Sequence, residues 1–96
     1  MPTYITLLRW TSEGLKNVKD SPSRLDAARK VFQDAGVTLR EFYMVTGQYD
    51  MVIISEARDD MALAKAALSV ASKGNVQTET LRAFTESEYR TILGSL

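Results

Sequence analysis

Residues 37–57 read VTLREFYMV, TGQ and YDMVIISEA in succession, and this stretch decides the fold. Its first and last segments are rich in β-branched and aromatic residues, which predicts two strands over residues 37–45 and 49–57. Thr46-Gly47-Gln48 between them is a turn signal, because Gly47 adopts a positive φ without steric cost. The stretch therefore predicts a central β-hairpin, around which the other elements must be placed.

The chain before the hairpin begins with a predicted strand and a short helical turn. Thr3–Trp10, with the sequence TYITLLRW, has the composition of a strand. Thr11 or Ser12 fits the N-cap of the helical turn that follows, on which Leu15 and Val18 form a short apolar stripe.

A longer helix is predicted between this turn and the hairpin. Pro22 fits its first position after Ser21 as the N-cap, because the fixed φ of proline suits the start of a helix. Gly36 ends the helix, because the left-handed conformation that closes a helix costs glycine little. Apolar residues recur along it at spacings of three and four: Leu25, Ala28, Phe32 and Ala35.

The chain after the hairpin repeats the pattern of helix and strand. Asp59 or Asp60 caps an alanine-rich helix that ends at Lys73 and Gly74. The apolar stripe of this helix consists of Met61, Ala64, Leu68 and Ala71. A fourth strand is predicted over residues 75–84, and a last helix begins at Thr85 or Ser87. That helix carries Tyr89, Ile92 and Leu93.

The predicted order is β-α-β-β-α-β-α, within a single domain that spans residues 1–96. Two βαβ halves joined by a hairpin form the split βαβ pattern. Its right-handed crossovers place both long helices on one face of a four-stranded antiparallel sheet. The fold class is therefore α+β, a ferredoxin-like βαββαβ sandwich with an extra C-terminal helix.

The sheet face away from the helices is predicted to be apolar as well. The first and third strands carry apolar side chains in both orientations: Ile5 and Leu7 against Tyr4, Leu8 and Trp10, and Val52 and Ile54 against Met51 and Ile53. Monomers rarely leave such a face exposed. We therefore expect a homodimer that packs through the open sheet face, as in a dimeric α/β barrel. Alternatively the C-terminal helix covers this face, but residues 86–96 are too few to cover a whole sheet.

Composition excludes several classes of function. Lys plus Arg and Asp plus Glu number 12 each, so the net charge is zero and the basic excess of a nucleic-acid binder is missing. The chain has no cysteine and no histidine, which removes disulfides, thiolate nucleophiles and the usual protein ligands of zinc and haem. No apolar run reaches the length of a membrane span. We expect a cytoplasmic protein without a cofactor, a nucleic-acid partner or a membrane association.

Asp50 is the most informative charged residue, because a carboxylate is disfavoured at the start of an apolar strand. Its burial is costly unless it is paired or hydrogen-bonded. One interpretation is that it accepts backbone amides within its own hairpin and fixes the turn. The other is a pocket carboxylate that pairs with Arg9, Arg40 or Arg82, or that binds a ligand.

Aromatic residues on the predicted strands are a second set of interest. They are Tyr4, Trp10, Tyr43, Tyr49 and Phe84. Such residues usually pack in a core or an interface, but a cleft lined by aromatics and a few polar groups also describes a small-molecule site. The candidate ligand-binding residues are therefore Tyr43, Tyr49, Asp50, Trp10, Arg9 and Arg82.

Acidic residues cluster after the third strand. Glu56, Asp59 and Asp60 offer the oxygen ligands that a hard cation prefers. Asp59 and Asp60 are more simply explained as the start of a helix, where negative charge favours the positive end of the helix dipole. We expect no metal.

Five segments of the chain together resemble the GYD-domain family. They are Trp10-Thr11, Lys19-Asp20-Ser21-Pro22-x-Arg24, Gly47-x-Tyr49-Asp50, Gly74-x-Val76-x-Thr78 and Thr80-Leu81-Arg82-Ala83-Phe84. The likeness extends over nearly the whole chain. It implies a small bacterial protein with the dimeric α/β-barrel form of the ferredoxin-like fold, and it points to no particular activity.

A wider similarity is to the ligand-sensing domain of Lrp/AsnC-type regulators. Those domains share the strand order and a Gly-x-x-Asp hairpin, and they bind small effectors, often amino acids, at subunit interfaces. No helix-turn-helix segment precedes the sensing-like domain in this sequence, so the similarity does not imply DNA binding by this chain.

Three functions follow from these observations. The leading hypothesis is a homodimeric small-molecule-binding or regulatory module. The alternatives are a small cofactor-independent enzyme of the dimeric α/β-barrel class, an oxygenase or isomerase that uses Asp50 on a hydrophobic substrate, and a structural or subunit-interaction protein. A pocket between sheet and helices that contains a carboxylate of perturbed pKa would favour the enzyme, whereas a fully packed interior would favour the interaction protein.

Overall fold

The computed structural model describes residues 1–96 and contains four strands and four helices. The strands are β1 (Thr3–Trp10), β2 (Thr38–Met44), β3 (Met51–Glu56) and β4 (Val76–Ala83). The helices are α1 (Ser12–Lys16), α2 (Ser21–Asp34), α3 (Asp60–Ala71) and α4 (Glu86–Gly94), with a 3₁₀ turn at Val18–Asp20. None of these helices combines the length and the apolar character that crossing a bilayer requires.

The four strands form one antiparallel sheet in the order β2-β3-β1-β4. α2 connects β1 to β2 and α3 connects β3 to β4, so both long helices pack on one face of the sheet and against each other. The predicted ferredoxin-like α+β fold with an additional C-terminal helix is confirmed.

The element boundaries differ from the predictions by one or two residues. β3 begins at Met51 and not at Tyr49, because Tyr49 belongs to the hairpin turn. Gly47 in that turn has a φ of +123°, as its predicted role requires. Ser21 is the first residue of α2 and not its N-cap, since Asp20 occupies the cap position.

Alternate side chains of β1 and β3 face the helices and form the core. Tyr4 and Leu8 of β1 and Met51 and Ile53 of β3 are buried, and Phe32 of α2 packs against them. α3 contributes mostly small side chains, namely Ala62, Leu63, Ala66 and Ala67. The short apolar stripe predicted on α1 lies outside this core, since its leucine and the following valine are exposed.

The opposite face of the sheet carries apolar side chains that nothing in the protomer covers. Ile5 and Leu7 of β1 and Val52 and Ile54 of β3 are only partly buried, and Leu81 of β4 is 43% exposed. We call this surface the open face. Its composition follows from the alternation of side chains along β1 and β3.

α4 does not cover the open face. Its N-terminus is a capping box of Thr85 and Glu88, and the backbone N–H of Thr85 lowers the pKa of Glu88 by hydrogen bonding to its carboxylate. No residue of the helix is buried, and its large apolar side chains, such as Tyr89 and Ile92, are exposed. The alternative in which the C-terminal helix closes the sheet is therefore wrong for the protomer.

The protomer exposes more surface than a compact monomer of its mass. Its accessible surface is 6446 Å², whereas a compact monomer of 10.7 kDa exposes about 5500 Å². Its Cα radius of gyration of 14.3 Å also exceeds the value of about 12.5 Å for a compact domain of this length. The excess of about 900 Å² is comparable to the ~800 Å² that each partner contributes to a standard protein interface.

The hydroxyl of Tyr4 joins the sheet to the start of α3, because it donates a hydrogen bond to the Asp60 carboxylate. Burial first, and then the hydrogen bond to Asp60, raise the pKa of Tyr4 to about 12. The fold therefore stabilises the neutral phenol.

This shift predicts an alkaline loss of stability. The contribution of Tyr4 is complete below its unfolded pKa of 10.0 and is lost as the pH rises through its folded pKa of about 12. In Tyr4→Phe, which keeps the ring in the core, this component of the pH dependence should disappear and the tyrosinate absorbance step near pH 12 should shrink by one tyrosine. Urea unfolding and spectrophotometric titration measure the two effects, and a step near pH 12 of undiminished size in the variant would contradict the assignment.

Candidate functional site

Several elements meet at the end of the sheet where the hairpin lies. β1 ends there at Trp10, opposite Val76 at the start of β4. Leu8 pairs with Met51 at the start of β3. α2 begins after β1 ends, and α3 ends before β4 begins, so both helices have a terminus at this same end. We call this region the hairpin end of the sheet.

Asp50 holds the hairpin against β1. Its carboxylate oxygen Oδ2 accepts a hydrogen bond of 3.0 Å from the backbone N–H of Trp10. Its own backbone N–H donates to the carbonyl of Leu8 at 2.9 Å, and its carbonyl accepts from the N–H of Val45 at 2.8 Å. The side chain therefore satisfies a backbone donor at the end of β1 that would otherwise need another partner.

Tyr49 lies across the hairpin end of the open face. Its hydroxyl donates to Glu79 Oε1 of β4 at 2.7 Å, and this hydrogen bond is the main cause of its raised pKa. The guanidinium of Arg9 lies 4.6 Å from the centre of the Tyr49 ring, and its Nε donates to the carbonyl of Gln48 at 2.6 Å. Tyr49 thus links the hairpin, which follows edge strand β2, to β4 at the opposite edge of the sheet.

A cavity of about 240 Å³ lies between the sheet and the two long helices. Its walls are mainly apolar. They include Leu8, Trp10 and Ile53 from the sheet and Ala28, Phe32 and Val70 from the helices. Several of its lining side chains are partly exposed, Trp10 and Val70 among them, so the cavity is a cleft that opens to solvent.

The charged side chains of the cavity wall are Arg24, in α2, and Lys73, just after α3. Both lie at the hairpin end, and no aspartate or glutamate lines the cavity. Arg24 donates to the backbone carbonyls of Asn17 at 2.9 Å and Gly14 at 3.2 Å. Lys73 is exposed and forms no ion pair, so the cavity reaches solvent at this end.

A close contact between two loops frames this end of the cavity. The backbone N–H of Thr11 donates to the carbonyl of Asn75 at 3.0 Å, and its hydroxyl donates to the carbonyl of Gly74 at 2.6 Å. A Cβ on Gly14 would come within 2.1 Å of the Asn75 carbonyl oxygen. Only glycine permits this approach, which positions Asn75 in the cavity wall.

Asp50 pairs with none of the arginines considered for it. Arg40 is paired with Glu56, while Arg9 and Arg82 donate to backbone carbonyls. Of the two interpretations of Asp50, the geometry agrees with the backbone acceptor, although the amide belongs to β1 and not to the hairpin itself.

The remaining sequence candidates are divided between the cavity and the surface. Trp10 lines the cavity, and its indole Nε1 donates to Ser21 Oγ at 3.3 Å. Tyr43 is 53% exposed on β2. Arg82 lies towards the other end of β4, with its guanidinium 4.6 Å from the centre of the Phe84 ring. Five of the candidates do not line the cavity: Tyr43, Arg82 and the hairpin-end residues Arg9, Tyr49 and Asp50. The part of these five residues in ligand binding stays a prediction.

Sequence reasoning did not select Arg24 and Lys73 as site residues. A signal for Arg24 existed, because it belongs to the Lys19-Asp20-Ser21-Pro22-x-Arg24 segment that supported the family resemblance. Lys73 lies at the predicted end of a helix, where a cation is favourable without any ligand. Their proximity to one cavity depends on the packing of α2 and α3, which no local spacing reveals.

The acidic residues considered as a metal-binding set each have a separate partner. Glu56 pairs with Arg40. Asp59 is the N-cap of α3, since its Oδ1 accepts from the backbone N–H of Ala62 at 2.9 Å. Asp60 accepts the tyrosine hydroxyl from β1. Their positions are explained by an ion pair, a helix cap and a contact between sheet and helix.

Comparison with known proteins identifies a family and a relative. The family model of the GYD domain matches residues 4–93. A glutamine synthetase and cystathionine β-lyase binding protein from Thermus thermophilus is 38% identical over 84 residues, which cover 86% of this chain and 88% of that protein.

Solved structures share the fold. One from Thermus thermophilus is 28% identical with a TM-score of 0.58, over 88% of this chain and 95% of that one. Two Mycobacterium tuberculosis proteins are each 15% identical over 88% of this chain: the leucine response regulatory protein, with a TM-score of 0.65, and a feast or famine regulatory protein complexed with L-methionine, with a TM-score of 0.67. The chain spans about half the length of these two regulators, 51% of each, and the likeness shows the fold alone.

The role of Asp50 predicts an ordered loss of stability. Asp50→Ala leaves the N–H of Trp10 without its charged acceptor and should cost about 1.5–3 kcal/mol. Asp50→Asn keeps an acceptor oxygen and should cost less. Tyr49→Phe removes an exposed hydrogen bond and should cost less than about 1 kcal/mol. Urea unfolding measures all three, and an Asp50→Ala variant as stable as the parent would show that the carboxylate does not hold the hairpin.

Proposed function

This chain belongs to the GYD-domain family, and we propose that it is a homodimeric regulatory module that binds a small, partly apolar molecule. The cavity of about 240 Å³ between the sheet and α2 and α3 is the observation that carries the proposal. Small-molecule sites are concave and lined mainly by apolar side chains, with a few polar groups that orient the ligand. The cavity has this composition, and Trp10 forms part of its wall.

The energetics of packing favour a ligand in this cavity. The partly exposed apolar side chains that line the cavity lack packing contacts on the cavity side. An apolar cavity of about 150 Å³ is large enough to bind benzene, so this cavity accommodates a somewhat larger molecule. A molecule that fills it restores those contacts and raises the stability of the folded state.

The enzymatic alternative has no comparable support. Proton transfer by Asp50 needs a substrate within hydrogen-bonding reach of its carboxylate. That carboxylate accepts the backbone N–H of Trp10 and does not line the cavity, and no other acidic side chain lines it. Binding is therefore the function that the geometry favours.

Homodimerisation through the open face supplies the contacts that the protomer lacks. The centre of this face is apolar, with Leu7 and Ile54 among its residues, while Arg9 and Glu79 lie at its margin. An apolar centre with a polar rim is the usual anatomy of a protein interface. A two-fold dimer would bring the two open faces together. Such a dimer would bury surface of the order of the excess that each protomer exposes.

The name of the Thermus relative favours a regulatory role exerted through an enzyme partner. That protein is named for binding glutamine synthetase and cystathionine β-lyase. The same name favours a second candidate, a subunit-interaction protein that binds an enzyme without any small ligand. The cytoplasmic location and the lack of a nucleic-acid partner stay predictions from the sequence.

Filling the cavity should abolish small-molecule binding and keep the fold. Ala28 is buried in the cavity wall, so Ala28→Phe replaces void with side-chain contacts and should hold or raise the melting temperature. A thermal-shift screen of metabolites should yield apolar compounds that stabilise the parent and not this variant. Ala64→Phe is the control, because Ala64 is exposed on α3 outside the cavity.

The same variant separates the two candidate functions. Purified glutamine synthetase or cystathionine β-lyase could bind the parent and Ala28→Phe equally well, with no compound changing the binding to either one. That result would favour the function of a subunit-interaction protein. A screen in which no compound stabilises the parent more than Ala28→Phe would refute the binding function.

A charge on the open face should prevent dimerisation. Ile54→Lys places an ammonium group at the centre of the proposed interface, where burial of an unpaired charge is costly. We expect the parent to sediment as a dimer at micromolar concentration and Ile54→Lys as a folded monomer. Leu68→Lys is the matched control, since Leu68 is 69% exposed on α3, on the opposite side of the sheet. A monomeric parent would overturn the interface.

A further inference from the structure

The charged side chains that line the cavity have one sign only. Arg24 and Lys73 reach the hairpin end of the cavity from two different parts of the chain, and no carboxylate accompanies them. The whole chain is neutral, with 12 acidic and 12 basic residues. The positive bias therefore belongs to the cavity and does not follow from the composition.

Both cations have hydrogen-bonding capacity to spare. Arg24 donates through Nη1 and Nη2 to the backbone carbonyls of Asn17 and Gly14, which orients its guanidinium and leaves its other N–H groups available. Lys73 forms no ion pair with any carboxylate of the chain. Two cations at one end of an apolar cavity are complementary to a single anionic group.

We propose that the cavity binds a small monocarboxylic acid with an apolar tail. The tail lies among apolar residues such as Phe32 and Val70, and the carboxylate lies at the hairpin end near Arg24 and Lys73. Hydrogen bonds between a carboxylate and these cations are charge-assisted, and a guanidinium matches the planar shape of a carboxylate. This inference rests on the binding function proposed above and names its ligand class.

The rest of the wall disfavours other ligand classes. A cationic ligand would meet two like charges and no carboxylate. A sugar or nucleotide would need polar partners along the walls, but the polar groups there are few and partly engaged. Thr6 Oγ1 lies 3.2 Å from Thr80 Oγ1, and Ser21 Oγ accepts from the indole of Trp10.

The volume of the cavity indicates how long the apolar tail of the carboxylic acid is. A cavity of about 150 Å³ holds benzene, so about 240 Å³ accommodates roughly eight to ten non-hydrogen atoms. Octanoate is therefore a suitable probe. 1-Octanol and octylammonium have the same tail with a neutral and a cationic head group, which separates the contribution of charge from that of the cavity.

Calorimetric titration of the full chain with these three compounds tests the proposal. Octanoate should bind about tenfold more tightly than 1-octanol, and octylammonium should bind most weakly. Added salt should weaken the binding of octanoate and leave that of 1-octanol unchanged. Equal affinities for octanoate and 1-octanol, or a preference for octylammonium, would overturn the ligand class and leave the binding function intact.

Substitution of Lys73 adds a matched test of the head-group site. Lys73→Gln should weaken octanoate binding roughly fivefold, the effect of one partly exposed ion pair, and should not change 1-octanol binding. Lys65→Gln removes a lysine from the exposed surface of α3 outside the cavity and should change neither. An octanoate affinity that is insensitive to Lys73→Gln would count against the proposed position of the carboxylate.

Cavity-filling variants locate the ligand. Octanoate binding should be lost in Ala28→Phe and in Val70→Phe, which fill the cavity from different helices, and should persist in Ile54→Lys. Binding that survives both filling variants and disappears in Ile54→Lys would place the compound on the open face and overturn the proposal. If none of the three compounds binds the parent, the ligand class fails, whereas the binding function is decided separately by the thermal-shift screen of metabolites.

Discussion

The hydrogen bond from the backbone N–H of Trp10 to the Asp50 carboxylate is the contact on which the hairpin end of the molecule depends. It joins the β2–β3 hairpin to β1, a strand that is paired on both sides. Because it fixes the backbone at Trp10, it also places the indole that lines the cavity and donates to Ser21 of α2. One carboxylate thus connects the hairpin, the central sheet and the first long helix.

The cavity and the open face are two consequences of the same strands. β1 and β3 are apolar in both orientations, but both long helices pack on one side only. On that side, the buried residues of α3 are mostly alanines, and α2 adds Ala28. Small side chains fill less of the space between layers than leucine or phenylalanine would, which explains a cavity beside an otherwise buried core. On the other side nothing packs, and the apolar side chains remain partly exposed.

The sequence predicted the fold because its decisive signals are local. A turn glycine between two strand-like segments, helix caps and alternation along the strands each depend on near neighbours. The predicted start of β3 was wrong because tyrosine is a residue type common in strands. In the structure Tyr49 belongs to the turn, and its hydroxyl donates to Glu79 of a strand distant in sequence. The donor to Asp50 and the convergence of Arg24 and Lys73 could not be predicted for the same reason. Both involve residues far apart in sequence, which come together only when the hairpin pairs with β1 and when the two long helices pack on the sheet.

Alternation along the strands also makes the two parts of the proposed function separable. Ile53 lines the cavity, while its neighbour Ile54 lies on the open face. Adjacent residues of one strand therefore report on different surfaces, and a substitution on one side leaves the side chains of the other side in place. Each of the two sites has its own substitutions and its own measurement. The cavity is assessed by ligand affinity, and the open face by the molecular mass of the protein in solution. A failure of one part would consequently leave the evidence for the other intact.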